Sequence, residues 1–144
     1  MSTKYVVACD GSPSSERALQ FAIDQAKTSG ASILIAHVLE WSPYSFLTPE
    51  ELEERHKRRS EELKRAKNAV VDALVESVSS QGIKADSVIK YGHVAETLAD
   101  IAEKEAASQL FIGRTGHSNL AVRVFGSVAG VMSQISPVPC TIVP

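Results

Sequence analysis

The chain has 144 residues, about the length of one domain, so we expect residues 1–144 to form a single domain. Its 44% hydrophobic and 22% charged residues are typical of a globular protein, and a net charge of −2 argues against a nucleic-acid partner. We find no secretory signal and no apolar run of about 18 residues, which predicts a cytoplasmic protein without membrane insertion. Only two cysteines are present, Cys9 and Cys140, as expected in a reducing compartment.

The first third of the chain predicts two strands that flank a helix. The segment Lys4–Cys9 is a short β-branched run, typical of a strand. Ser12 can cap a helix that has Pro13 at its first position, and Gly30 ends the helical pattern. The following segment, Ser32–Leu39, is almost entirely apolar, which indicates a strand covered on both faces.

A long helix is predicted after an aromatic loop, Glu40–Leu47. Thr48 and Glu51 form a capping box with Pro49 at the first helical position, and the helical pattern continues from about Glu50 to Gln81. Its first half is charged on most faces and is expected to project into solvent. Its second half should pack on the sheet through apolar residues at helical spacing, namely Leu63, Ala66, Val70, Ala73, Leu74 and Val78.

The last third of the chain adds three strands and two helices. We predict strands over Lys84–Tyr91, Gln109–Gly113 and Val138–Val143, the first and last of them at the edges of the sheet. The helix after Gly92 has an apolar face, and a further helix begins at about Ser127. Strands that alternate with helices predict an α/β fold with a parallel sheet, helices on both faces and right-handed crossovers.

Two loops that follow strands carry unusual residues. In an open parallel sheet, ligands bind beyond the carboxyl ends of the strands, where the strand order reverses. The loop after the first strand contains Asp10, and the loop after the fourth strand is rich in glycine. If these two strands are neighbours, both loops face one crevice. Asp10 has a simpler interpretation as well, that of a turn residue that only accepts backbone hydrogen bonds.

The glycine-rich segment has the chemistry of a phosphate site. Gly113 and Gly116 can adopt positive φ and let a ligand touch the backbone. Gly126 and Ser127 open a helix, whose unpaired amides and dipole favour phosphate. Nearby cations could add charge-assisted hydrogen bonds. These cations are Arg114, His117 and Arg123.

Better-known nucleotide motifs do not fit this segment. No lysine precedes Ser127, so it is not the GxxxxGK[ST] loop, and the first strand is not followed by the dinucleotide fingerprint. Ser127 also lacks the context of a nucleophile elbow and an identifiable base, which argues against a hydrolase of that type. The two cysteines, far apart in the sequence, are expected to be structural thiols.

The spacing G-x2-G-x9-G-S, formed by Gly113, Gly116, Gly126 and Ser127, resembles the ATP-binding signature of the universal stress protein (UspA-like) family. The resemblance extends along the whole chain, through "VVACDGSPSSERAL", "AHV", "GHVAETLADIA" and "GSVAGVMSQISPVPCTIVP". It implies a Rossmann-like α/β fold, with a five-stranded, open, twisted parallel sheet of order 3-2-1-4-5.

The resemblance also implies a site for ATP, with Mg²⁺ or Mn²⁺ on the phosphates. Ala8, Asp10 and Val38 would line the adenosine end, and Gly113 would lie near the ribose. The phosphates would be held by Gly116, Gly126, Ser127 and Val128. Arg114 and His117 are assigned to the site only because of the charge of their side chains. No metal ligand of the protein itself is expected.

Three functions remain open at this stage. The first is an ATP-binding regulatory or stress-response protein whose nucleotide occupancy modulates its oligomer or an unknown partner protein. The second is a slow ATPase or phosphotransferase that uses the same pocket, although no catalytic base is visible, so we expect at most weak hydrolysis. The third, an interaction module with an empty loop, is disfavoured by the intact signature. The resemblance further implies a homodimer, or a tetramer, that pairs through Val138–Val143.

Overall fold

A computed structural model of the chain describes residues 3–40, 48–115 and 127–144. Within these ranges strands and helices alternate in the predicted order. The strands are β1 (Lys4–Ala8), β2 (Ser32–Glu40), β3 (Ala85–Gly92), β4 (Gln109–Gly113) and β5 (Cys140–Val143). The helices are α1 (Pro13–Ser29), α2 (Pro49–Ala66), α3 (Asp72–Ser79), α4 (Val94–Lys104) and α5 (Ser127–Ile135), with a π-helical segment, Lys67–Val71, between α2 and α3.

The five strands form one parallel sheet in the order β3-β2-β1-β4-β5. The chain builds the sheet from β1 outward to β3, then crosses back and continues on the other side through β4 to β5. Val7 of β1 is therefore paired with Ile35 of β2 on one side and with Phe111 of β4 on the other. The predicted α/β fold and its strand order are confirmed.

Each face of the sheet has its own hydrophobic core. Alternate residues of a strand point to opposite faces, so Val7 and Ile35 contribute to one core, and Val6 and Leu34 to the other. On the first face the sheet is covered mainly by α1 and by the end of α3, and on the second by α4 and α5. Both faces of the central strands are buried, which explains why β2 is apolar along most of its length.

The helix ends follow the sequence signals. Ser12 caps α1 through its Oγ, which accepts from the Ser15 amide at 3.2 Å, and Gly30 ends the helix with a left-handed φ of 77°. Thr48 caps α2 in the same way, accepting from the Glu51 amide at 3.2 Å. The caps therefore satisfy amides that the first helical turn leaves unpaired.

The long predicted helix departs from the expected pattern in its middle. The π-helical segment accommodates one additional residue, which rotates the following residues around the helix axis. After buried Ala66, the next buried position is Val71, whereas Val70 is only half-buried and Ala73 is exposed. The prediction that Val70 and Ala73 lie on the packed face, made for a continuous α-helix, was wrong for this reason.

The last strand begins two residues later than predicted. Val138 lies in a turn, in which the Ser136 hydroxyl donates to the Val138 carbonyl at 2.7 Å. Pro139 has no amide to donate, but its carbonyl accepts from the Leu110 amide at 2.9 Å, and the strand starts at Cys140. As predicted, β3 and β5 are the edge strands. Among the described helices, none is long and apolar enough to cross a membrane.

Candidate functional site

The carboxyl ends of β1 and β4 lie side by side at the point where the strand order reverses. Their paired residues end at Val7 and Phe111. Beyond these pairs, the segment after β1 continues to Asp10 and the segment after β4 continues to Arg114. The structure thus brings the starts of the two loops that the sequence singled out to the same edge of the sheet, where parallel sheets bind their ligands.

Asp10 organises the turn after β1. Its Oδ1 accepts a hydrogen bond from the Ser12 amide at 2.9 Å, and its own amide lies 3.4 Å from the Ser15 Oγ. Gly11, between them, has a φ of 81°, which favours glycine. Asp10 therefore has the role of a turn residue that accepts a backbone hydrogen bond. The side chain is half-buried at the crevice.

The amino terminus of α1 is occupied by its own residues. Pro13 has no amide, the Ser15 amide donates to the Ser12 side chain, and the Glu16 amide donates to the Ser12 carbonyl at 3.1 Å. The Asp10 carboxylate adds negative charge at this end. A phosphate would compete with these acceptors and be repelled by the carboxylate, so this helix end is poorly suited to an anion.

Gly113 is a glycine for a different reason from the one predicted. It is not among the glycines with positive φ. Instead, a Cβ at this position would lie 2.7 Å from the backbone carbonyl oxygen of Ser14 and would also collide with the Ser14 hydroxyl. The residue permits α1 to approach the end of β4, and at Gly113 the structure does not use the positive φ that glycine allows.

Two consecutive amides fix the chain as it leaves β4. The Arg114 amide donates to the Val143 carbonyl of β5 at 2.8 Å, and the Thr115 amide donates to the Ser14 Oγ at 3.2 Å. The Arg114 side chain is exposed at the carboxyl edge. Its contribution of positive charge to the site stays a prediction.

Val38 of β2 and Ala8, the last residue of β1, were both predicted to line the adenosine end. Both are half-buried and pack against the core on the second face of the sheet. His37, next to Val38 on β2, is buried, and its Nδ1 lies 2.6 Å from the Cys9 carbonyl oxygen. Its bond to the chain just before Asp10 is a contact that no sequence pattern predicted.

The two cysteines do not form a disulfide. Burial, reinforced by the neighbouring Asp10 carboxylate, raises the pKa of the Cys9 thiol to about 12. Burial also raises the pKa of Cys140. Both groups are therefore protonated at neutral pH and poorly reactive, as expected for structural thiols.

The remaining predicted residues belong to the glycine-rich segment and the start of α5. Ser127 is the first residue of α5, which confirms that a helix begins there, and Val128 is half-buried against the second core. Gly116, His117 and Gly126 lie outside the described residues. Ser14 was not predicted as part of the site; its place one residue after a proline in a capped helix gave no signal of a contact 101 residues away.

No metal site is evident in residues 3–40, 48–115 and 127–144. Within these ranges, no three His, Cys, Asp or Glu side chains are grouped so that they could hold an ion. His56 and His93 are exposed.

Comparison with known proteins identifies relatives along the whole chain. The sequence model of the universal stress protein family matches residues 1–144. Universal stress protein YxiE of Bacillus subtilis (strain 168) is 30% identical over 156 aligned positions, which cover 99% of each chain.

Solved structures of similar proteins share the fold. Universal stress protein UspA from Lactobacillus plantarum superposes with a TM-score of 0.84 at 21% identity, over 99% of this chain and 97% of that one. A universal stress protein solved in complex with cAMP has a TM-score of 0.67 at 26% identity, again over 99% and 97% of the two chains.

Proposed function

The chain belongs to the universal stress protein family, and we propose that it is an ATP-binding regulatory protein of the stress response. ATP would occupy the crevice between the ends of β1 and β4. Its presence or absence would modulate contacts with a second copy or with a regulatory partner protein. The cytoplasm, where ATP is available and cysteines stay reduced, is the proposed location.

One observation carries the proposal: β1 and β4 are neighbours at the reversal of strand order, and both loops that leave them contain residues suited to a nucleotide. Open α/β sheets bind nucleotides at this position because the loops there diverge and leave a crevice. The relative that was solved with cAMP supports an adenine nucleotide as the ligand. The choice of ATP rests on the glycine signature from Gly113 to Ser127.

The electrostatics of the two helix termini support one orientation of the ligand. The start of α1 is satisfied by Ser12 and lies beside the Asp10 carboxylate, which repels phosphate. The start of α5, at Ser127, is the alternative terminus with positive partial charge. We therefore place the adenosine toward Asp10, Ala8 and Val38, and the phosphates toward α5.

The phosphate end would combine backbone donors and cations. In this proposal Gly116, Gly126, Ser127 and Val128 hold the phosphates, with Arg114 and His117 contributing charge, while Gly113 lies near the ribose. A Mg²⁺ or Mn²⁺ ion would be held mainly by phosphate oxygens, as Mg²⁺ commonly is in nucleotide sites.

Binding is tested by Gly126→Val. A branched side chain would fill the space proposed for phosphate, so ATP binding measured by calorimetry should be lost. Ala73→Val is the control, since it introduces the same branched side chain at an exposed position of α3, and it should bind ATP as the parent does. Normal ATP binding by Gly126→Val would refute the proposed site.

Regulation, as opposed to turnover, is tested by incubating the purified protein with ATP and Mg²⁺. We expect little or no hydrolysis, because phosphoryl transfer needs a positioned nucleophile and charge stabilisation. A rate of about 1 s⁻¹, the low end for ordinary enzymes, would instead favour an ATPase or phosphotransferase.

We further propose that the protein forms a homodimer, or a tetramer built from it, through β5. Within the described residues this strand pairs only with β4. The Pro139 and Val143 carbonyls point toward β4, so the backbone groups of Ile142, which alternate with them, point to the open edge. Ile142→Pro would remove an outward amide and should yield monomers in sedimentation experiments while the circular dichroism is unchanged. A dimer of undiminished stability would contradict pairing through β5.

A further inference from the structure

Ser14 is a buried polar residue that the capping of α1 does not require. It is 2% exposed and occupies the second position of the helix. The neighbouring serines make the hydrogen bonds that cap the helix. Ser12 accepts from the Ser15 amide, and the Ser15 hydroxyl donates to the Ser12 carbonyl at 2.9 Å. A buried hydroxyl normally has a hydrogen-bond partner. For Ser14 that partner lies outside the helix.

The partner is the Thr115 amide, at 3.2 Å from the Ser14 Oγ. It belongs to the second residue after β4, at the entrance to the glycine-rich segment. The backbone of Ser14 also lies close to this segment. A Cβ added to Gly113 would be 2.7 Å from the Ser14 carbonyl oxygen and 2.8 Å from the Ser14 carbonyl carbon. One residue of α1 thus contacts both Gly113 and Thr115.

These contacts fix the direction of the chain. The Arg114 amide is held by the Val143 carbonyl on β5, and the next amide is held by Ser14 on α1. Successive amides are therefore bound to two different elements. Since a peptide unit is planar, fixing both leaves little freedom in the path by which the chain leaves β4.

We propose that Ser14 is a positioning residue of the nucleotide site. Its hydroxyl sets the direction in which the glycine-rich segment leaves β4, and thereby the affinity for the phosphate part of the ligand. The inference rests on the proposed ATP site and adds to it a residue that lies on α1 and touches neither base nor phosphate.

The test compares Ser14→Ala with the parent protein for ATP and for adenosine. Loss of one hydrogen bond of ordinary strength should weaken ATP binding about fivefold. Adenosine, which has no phosphate, should change by less than about twofold by the same reasoning. A generally destabilised protein would lose affinity for both ligands in the same proportion, and that result would overturn the proposal.

A second readout follows the Thr115 amide directly. Its hydrogen exchange should become faster in Ser14→Ala, whereas the Arg114 amide, bound to β5, should keep its protection. Ser14→Thr retains the hydroxyl and should restore both protection and ATP affinity. Ser80→Ala, which removes an exposed hydroxyl at the end of α3, is the matched control and should leave both unchanged.

The outcomes separate this inference from the function on which it rests. If the parent binds no nucleotide, the proposed function fails and Ser14 has no site to position. If the parent binds ATP and Ser14→Ala binds it equally well, only the role of Ser14 is refuted. Should the alanine variant not fold, Ser14→Cys keeps the volume with a much weaker acceptor and should show the same selective loss.

Discussion

At the carboxyl edge of the sheet, several residues have structural roles that their chemical type alone does not indicate. Gly113 is required by the approach of α1 to β4, since the Ser14 carbonyl occupies the place of its missing side chain. Asp10 uses one oxygen to build the turn that presents it. His37, within a strand, binds the carbonyl of Cys9, next to that turn. Each of these residues shapes the backbone around the crevice.

Gly113→Ala tests this account at the scale of one residue. In an unstrained place the substitution would stabilise the protein by about 0.4–1 kcal/mol, through the entropy of the unfolded chain. Here the new Cβ should instead cost about 1–3 kcal/mol as an overpacked contact. Urea denaturation measures the difference. The cost should persist in a Ser14→Ala background, because the backbone carbonyl remains; a stabilised Gly113→Ala would refute the close approach.

At the scale of elements, the π-helical segment decides which side chains the second crossover buries. Its additional residue moves the packed position from Val70 to Val71, in register with Val78 seven residues later. The preceding helix, α2, is largely exposed, and Tyr91 at the end of β3 attaches it to the sheet. The Tyr91 hydroxyl donates to Glu62 Oε2 at 2.6 Å, and the Arg59 guanidinium lies 5.3 Å from the ring centre.

The shift of the buried face is tested by a pair of alanine variants. Val71→Ala should lower the free energy of unfolding by about 2 kcal/mol, because the side chain is fully buried. Val70→Ala should cost less than about 1 kcal/mol. The gain in helix propensity is the same for both, so chemical denaturation isolates the difference in burial. A larger loss for Val70→Ala than for Val71→Ala would indicate a continuous α-helix.

The contact between Tyr91 and α2 predicts that the stability of the protein depends on pH in the alkaline range. Burial and the hydrogen bond to Glu62 raise the pKa of Tyr91 to about 12, above the value of about 10 for an unfolded chain. Stability from this group is therefore fully present below about pH 10 and is lost as pH rises toward about 12. Tyr91→Phe should flatten the stability profile in that range. Glu62→Gln should lower the pKa of Tyr91, as followed by tyrosinate absorbance; an unshifted titration would contradict the contact.

At the scale of the whole molecule, binding of the proposed ligand should raise the stability of the folded protein. A ligand that binds only the folded chain stabilises it by mass action, by about 2.7 kcal/mol at roughly 100 times its dissociation constant. For a domain of this size, that corresponds to a rise in Tm of about 8 °C.

The thermal prediction compares ATP with two references. The parent with ATP should show the rise in calorimetry, and Gly126→Val with ATP should show none. An inorganic phosphate control should have a much smaller effect than ATP, since it lacks the adenosine part. If ATP raised the Tm of Gly126→Val as much as that of the parent, the stabilising site would lie elsewhere.

The sequence by itself determined the elements and their arrangement. Caps at Ser12 and Thr48, the stop at Gly30 and the alternation of apolar strands with amphipathic helices are local signals, and they predicted the parallel sheet and its helices. The edge at which a ligand would lie also followed, because carboxyl ends of parallel strands share one edge. Family resemblance added the strand order, which the structure confirmed.

Tertiary structure alone decided how distant residues meet. The contact of Ser14 with Gly113 and Thr115 depends on the distance between a helix and a strand a hundred residues apart, which no local pattern encodes. The burial of Val71 in place of Val70 depends on how the helices between β2 and β3 pack on the sheet. Packing on a surface can override helical periodicity. Local rules give each element its form, whereas packing fixes the distances between elements, and at this edge those distances shape the crevice.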